Sequence, residues 1–226
     1  MLLPALRDPP ACLPRVLFPE PASQSAPAAE LVKCCRMYQG FAVNGGRRII
    51  FNDVLHMFAS PRHCELLLAE ISARLIEGVE PAPTALLGVA SRGYPFAAML
   101  ALKHKLKLVF ARAGGKTPGP IASQNVSLKN YGGGDALEVS LLTLGSEDHV
   151  VVLDDLLATG GSLEAAAQAV EGCGAVVSAL FAFAEYRSDF GGRCVGGGRA
   201  RLEALGRRVV TCVSYADGDS GTVVPR

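Results

Sequence analysis

The chain has 226 residues, half of them hydrophobic, and a formal net charge of +1. That length suits one domain with a substantial core. The near-neutral charge, the absence of Trp and the scatter of nine Phe and five Tyr argue against a nucleic-acid surface. No apolar run reaches the ~18–20 residues that a membrane-spanning helix needs. Seven cysteines, none in a Cys-x-x-Cys pair, form neither a disulfide framework nor a zinc site. They read as free thiols in a reducing compartment, and the expected location is the cytoplasm.

Residues 1–30 are rich in Pro and Ala, and Met1 to Leu6 has no basic lead-in. The expectation is a poorly ordered extension rather than a signal peptide, followed by a single domain over 31–226. The end of the chain, Val223 to Arg226, is not a peroxisomal address. Glu30 to Gln39 reads as a helix, and Arg47 to Leu55 as a short extended piece with a turn. Ser60-Pro61 is an N-cap with proline at the first helical position, predicting a helix to about Ile76.

Alternation begins after Pro81. Thr84–Val89 predicts a strand, Tyr94–His104 a helix and Lys107–Arg112 a strand. Residues 113–134 carry six glycines and two prolines and read as a long mobile loop. Ala136–Leu144 alternates like a strand. His149–Asp155 is the predicted central strand, Gly161–Glu171 its helix and Val176–Ala184 a further strand. A loose segment over about 187–200 and a final strand, Arg208–Val213, complete the pattern. Strands alternating with helices imply an α/β fold: a twisted, mainly parallel sheet with helices on both faces.

The stretch from Val150 to Ser162 carries the most chemistry. An apolar run suited to a strand buried on both faces ends in Asp154 and Asp155. The small turn Ala158, Thr159, Gly160, Gly161, Ser162 lets backbone N–H groups converge on an anion at a helix start. Carboxylates are acceptors only, so beside a phosphate cradle they suit sugar hydroxyls, or act through Mg²⁺. The pattern describes a site for a ribose 5-phosphate at the end of a parallel strand. Gly88 to Gly93 is a second strand–turn–helix start, with Ser91 and the guanidinium of Arg92 in the turn. The run Gly115-Lys116-Thr117-Pro118 is no nucleotide-triphosphate loop, because the upstream glycine is missing and prolines follow. His56, His63, His104 and His149 have no metal-ligand spacing and read as surface or packed residues.

The 150–162 stretch resembles the phosphoribosyl-pyrophosphate motif of the type I phosphoribosyltransferases. Its wording, Leu-Asp-Asp-Leu-Leu-Ala-Thr-Gly-Gly-Ser, is most similar to the branch of that family that uses adenine. The resemblance spans about residues 47–186. It implies a flexible loop and a small N-terminal hood added to the α/β sheet. It implies transfer of a 5-phosphoribosyl group from phosphoribosyl pyrophosphate to adenine, giving AMP and pyrophosphate, by a homodimer. Mg²⁺ is implied as carried in by the phosphoribosyl pyrophosphate, with no direct protein ligand.

The resemblance also assigns roles. Asp154 and Asp155 hold the ribose hydroxyls, and 158–162 anchors the 5′-phosphate. Ser91, Arg92, Arg112 and Lys116 face the diphosphate, with a non-proline cis peptide in the 88–93 turn. Ile50 and Phe51 cover the base, and Asn130 and Tyr131 approach it from the long loop. Three positions depart from the family's pattern: Ala90 where Asp is frequent, Asn52 where Arg is frequent, and Asn130 where Glu is common. An amide can hydrogen-bond a purine nitrogen but cannot take its proton at neutral pH. A phosphoribosyltransferase for another base, a non-catalytic relative that binds the same ligand, and a plain α/β interaction module therefore stay open.

Overall fold

The computed structural model describes residues 16–17, 30–31, 34–42, 48–76, 78–126, 136–187, 196–217 and 223–225. Its strands are β1 Val16–Leu17, β2 Arg36–Ala42, β3 Arg48–Asp53, β4 Ala85–Val89, β5 Lys107–Ala113 and β6 Ile121–Asn125. They continue with β7 Ala136–Ser140, β8 His149–Leu157, β9 Val176–Tyr186, β10 Val209–Asp217 and β11 Val223–Pro225. The helices are α1 Pro61–Leu75, α2 Gly93–His104, α3 Gly161–Gly172 and α4 Gly198–Ala204.

Among the described residues, the main sheet has the order β11-β10-β9-β8-β4-β5-β7-β6. The run from β10 to β5 is parallel, and β11, β7 and β6 pair antiparallel at the edges. The expected mainly parallel sheet with helices on both faces is what forms. β1, β2 and β3 make a separate antiparallel sheet of three strands, in the place expected for the hood.

Alternation along the central strands divides the core. Leu86, Val151, Leu153, Phe181 and Phe183 pack with Leu67, Ile71 and Leu75 of α1 and Phe96 of α2. Leu87, Val150, Val152 and Leu180 face the opposite side, against Leu163, Ala166 and Val170 of α3 and Leu202 of α4. Leu67, Ile71 and Leu75 are spaced by one turn, so a single stripe of α1 is buried, each residue contributing about 1.5–3 kcal/mol. All five residues of β4 are buried, as two-sided covering requires.

Three expectations are corrected. The helix expected over Glu30–Gln39 does not reach Gln39: Glu30 and Leu31 are helical, and the Cys34 N–H donates to the Leu31 carbonyl at 3.0 Å. From Arg36 the chain is β2, because pairing with β3 overrides the local helical spacing. The 113–134 loop contains β6, which pairs with β7 from Ile121↔Ser140 to Asn125↔Ala136. The 187–200 segment runs into α4 at Gly198.

Candidate active site

β8 carries the acid pair and runs on to Leu157, two residues past the end the sequence suggests. Asp155 is buried, and Asp154 is partly exposed. The Asp154 carboxylate accepts the backbone N–H of Asp155 at 2.9 Å, which fixes its orientation. Burial raises the Asp154 pKa well above the ordinary carboxylate range, and the neighbouring charge of Asp155 adds to it. Burial also raises Asp155, where the Arg92 guanidinium opposes the rise. Two adjacent, desolvated carboxylates resist carrying two charges, so the pair favours a bound cation or hydroxyl donors.

Arg92 supplies the cation that this chain itself brings. Its Nη1 lies 2.9 Å from Asp155 Oδ2 and donates to the Asn52 carbonyl of β3 at 3.0 Å. One guanidinium thus links the small sheet to the acids. Arg92 belongs to the turn between β4 and α2, where the Ala90–Ser91 peptide bond is cis, as the resemblance implies. Ser91 is exposed at the tip of that turn. Gly93 opens α2 directly against β8. A Cβ there would lie 2.3 Å from the Leu153 carbonyl oxygen, so only glycine permits this approach.

Ala158, Thr159 and Gly160 form the second turn, and α3 starts at Gly161 and Ser162. Gly160 has a φ of +79°, a left-handed conformation that costs glycine little. Its carbonyl accepts the Glu164 N–H at 3.0 Å, closing the first turn of α3. The turn and the N-terminus of α3 together offer a concave set of N–H groups suited to a phosphate. Both anion turns sit beside the acids at the carboxyl edge of the parallel strands, where ligands bind in open α/β sheets.

The other predicted residues divide. Arg112 is exposed at the end of β5, and Lys116 is exposed in the segment that follows. The Glu138 carboxylate of β7 accepts N–H groups from Gly115 at 2.6 Å, Thr117 at 3.2 Å and Lys116 at 3.3 Å. The Gly115 N–H bond, with the other two, holds the Glu138 carboxyl below its ordinary range. The root of the loop is thus tied down by a carboxylate that sequence reasoning missed. Ile50 and Phe51 lie on β3, opposite Gln39 and Tyr38 of β2. Asn130 and Tyr131 lie outside the described residues.

Three of the four histidines are occupied locally. His104 bonds Ser72 at 2.7 Å, His56 lies 3.2 Å from Asp53, and His63 lies against Cys34 at 3.3 Å. Among the described residues, no three His, Cys, Asp or Glu side chains are placed to hold a metal ion.

α4 is the element bordering the site that the sequence reading passed over. It packs behind the 158–162 turn, with Leu202 against Gly160 and the Gly198 N–H on the Ala158 carbonyl at 2.9 Å. Its signal was present: after Gly197 and Gly198 come Arg, Ala, Arg, Leu, Glu, Ala and Leu, all good helix formers.

The geometry agrees with comparisons to known proteins. Residues 59–188 match the phosphoribosyl transferase domain model. Adenine phosphoribosyltransferase from Haemophilus ducreyi is 35% identical over 167 residues, covering 74% of this chain and 87% of that protein. The Pasteurella multocida enzyme of the same name is 35% identical over 169 residues, with the same coverage. The structure of adenine phosphoribosyltransferase from Saccharomyces cerevisiae, solved with adenine and an imino-altritol bisphosphate, superposes with a TM-score of 0.70 at 29% identity. That match covers 83% of this chain and 98% of the yeast chain. The chain, with its two anion turns and paired acids, belongs to the phosphoribosyltransferase family.

Proposed function

We propose that this protein transfers the 5-phosphoribosyl group of phosphoribosyl pyrophosphate to adenine, releasing AMP and pyrophosphate. One observation carries the reading: two anion turns flank a pair of adjacent carboxylates, Asp155 buried and Asp154 partly exposed, at one sheet edge. That arrangement suits a ligand with a phosphate at one end, a diphosphate at the other and hydroxyls between. The names of the curated relatives specify the base.

The reaction breaks the bond between the anomeric carbon and the diphosphate oxygen and forms one from that carbon to a ring nitrogen of adenine. The nitrogen's proton is released. Positive charge develops on the ribose as the diphosphate leaves. Asp154 and Asp155 hold the ribose hydroxyls and face that charge. Ser91 and Arg92, with Arg112 and Lys116, take the negative charge growing on the diphosphate. Residues 158–162 anchor the 5′-phosphate, so binding far from the reacting carbon is spent on orienting it. Ile50 and Phe51 bound the base from β3, while Asn130 and Tyr131 approach it from 127–135. Asn130 orients the purine and leaves its proton to another acceptor.

Mg²⁺ belongs to this reading. Burial raises the pKa of both Asp154 and Asp155, so full negative charge on the adjacent pair is disfavoured unless a cation lies nearby. Mg²⁺ would be carried in on the diphosphate, with no direct protein ligand, and would neutralise diphosphate charge there. The same reading gives a homodimer, for which Leu102 and Leu142, 84% and 79% exposed, are available apolar surface. It also gives a cytoplasmic location, which the free thiols suit.

The test is turnover of adenine and phosphoribosyl pyrophosphate with MgCl₂. AMP and pyrophosphate are expected in equal amounts, with adenine outcompeting 6-oxopurines. A 6-oxopurine nucleotide as the sole product moves the reading to another base. Tight binding of phosphoribosyl pyrophosphate without product moves it to a non-catalytic relative.

A further inference from the structure

The cradle at 158–162 is built by more of the chain than the family model matches. Residues 197–207 lie beyond the matched segment 59–188 and meet the cradle from its outer side. The Gly198 N–H donates to the Ala158 carbonyl at 2.9 Å, and Arg201 Nη1 donates to the Thr159 carbonyl at 3.2 Å. A trans peptide is planar and points its C=O and N–H in opposite directions. Holding the carbonyls of Ala158 and Thr159 toward α4 therefore turns the N–H groups of Thr159 and Gly160 away from it, toward the ligand side.

The contact is close enough to be selective. A Cβ on Gly198 would lie 2.5 Å from the Ala158 oxygen and 2.7 Å from the Gly160 nitrogen. A Cβ on Gly160 would lie 3.0 Å from Leu202 Cγ, and Leu202 is fully buried.

α4 itself is seated by an ionic network. Arg199 Nε lies 2.6 Å from the buried Glu185 carboxylate, and its Nη2 bonds Thr211 Oγ1 at 2.7 Å. Arg199 Nη1 reaches the Val209 carbonyl at 3.1 Å. Ser214 donates its hydroxyl to the other oxygen of Glu185. Just past α4, Arg207 bonds Glu164 at 3.0 Å and also pairs with Glu171, fixing both ends of α3. The carbonyls of Ala158 and Thr159 are thus held by 197–207, and Arg207 ties the same segment to α3.

We infer that α4 is the scaffold that presents the 5′-phosphate cradle, with Arg201 a positioning residue that sets the Thr159–Gly160 peptide plane. The inference rests on reading 158–162 as the phosphate site. Arg201 acts through a main-chain carbonyl and not as a phosphate ligand, because it meets the face of the turn opposite the converging N–H groups.

AMP and adenosine differ only in the phosphate, so their affinity ratio isolates the cradle. Isothermal titration of the whole chain gives both values, beside thermal melts that report folding. Arg201→Ala is expected to weaken AMP by about tenfold, the scale of one charge-assisted hydrogen bond, and to leave adenosine within about twofold. Gly198→Ala is expected to weaken AMP at least as much, and Arg201→Lys, which keeps a donor, to recover most of it. A wild-type chain that binds AMP no tighter than adenosine overturns the cradle reading underneath. A wild-type preference for AMP that survives unchanged in Arg201→Ala and Gly198→Ala overturns the inference alone.

Discussion

The two ends of β8 treat a buried carboxylate in opposite ways. Asp148, just before the strand, is 1% exposed and fully satisfied. Lys107 Nζ lies 2.8 Å from it, the Thr84 hydroxyl donates at 2.7 Å and the Gly145 N–H at 3.0 Å. Burial alone pushes its pKa up, but Lys107 and these donors outweigh burial and leave it below the ordinary range. Asp155, near the other end, meets Arg92 and lies beside a second carboxylate, and its pKa is raised. One end is closed by the protein's own groups. The other holds negative charge that burial and repulsion disfavour, and that a ligand can settle. The same residue type stabilises the fold in the first setting and prepares chemistry in the second.

Substitutions that remove charge without changing shape separate the two roles. The largest effect is expected from Asp155→Asn. Turnover should fall by ~10²-fold or more, the scale of one preorganised electrostatic contact, while AMP binding falls much less. Equal losses in kcat and in AMP affinity, measured by steady-state kinetics and titration, break the contrast by making Asp155 a simple holder.

Next in size is Asp148→Asn. It leaves the Lys107 pairing and the Gly145 donor without their charged acceptor and should cost about 2 kcal/mol in denaturant unfolding. kcat of the folded fraction should stay as it is. The pH dependence follows from the lowered pKa. Asp148 contributes stability above the unfolded value of about 3.9, and that contribution is lost as pH falls through the folded value. The variant should therefore show a flatter loss of stability in acid.

The smallest effect carries the opposite sign. Asp154→Asn should raise stability, by about 1 kcal/mol, while lowering turnover. A raised folded pKa means that stability is full below about 3.9 and is lost as pH rises through the folded value. Removing the charge removes that loss near neutral pH. A melting temperature that falls in Asp154→Asn erases the distinction between the two ends of the strand.

Much of this was readable from the residues, for a physical reason in each case. α1 was legible because Ser60-Pro61 marks its start and Leu67, Ile71 and Leu75 repeat at one face. β4 and β8 were legible because strands covered on both sides need continuous apolar runs. The acids and both turns were legible because each needs particular atoms at a particular strand end. β2 was misread because Leu31 and Cys35, both buried and four apart, carry helical spacing up to the point where pairing takes over. β6 was missed because Ser123, Gln124 and Asn125 have little strand preference, and the ladder to β7 supplies what propensity does not. Glu138 and α4 were missed because they act on main-chain atoms of distant turns, a relation that local pattern does not encode.

The contact of Gly93 with Leu153 bears on how such a protein can diversify. The helix start after the first anion turn rests on the backbone of β8 with no room for a side chain. The gap between the two turns is therefore a caliper machined in main chain. Side chains can change around it without altering that separation, so on the proposed assignment the donor end of the substrate stays fixed in length. β3 joins the caliper through the Asn52 carbonyl and Arg92. On the proposed assignment, a new base would be adopted by revising the small sheet while the two turns stay as they are.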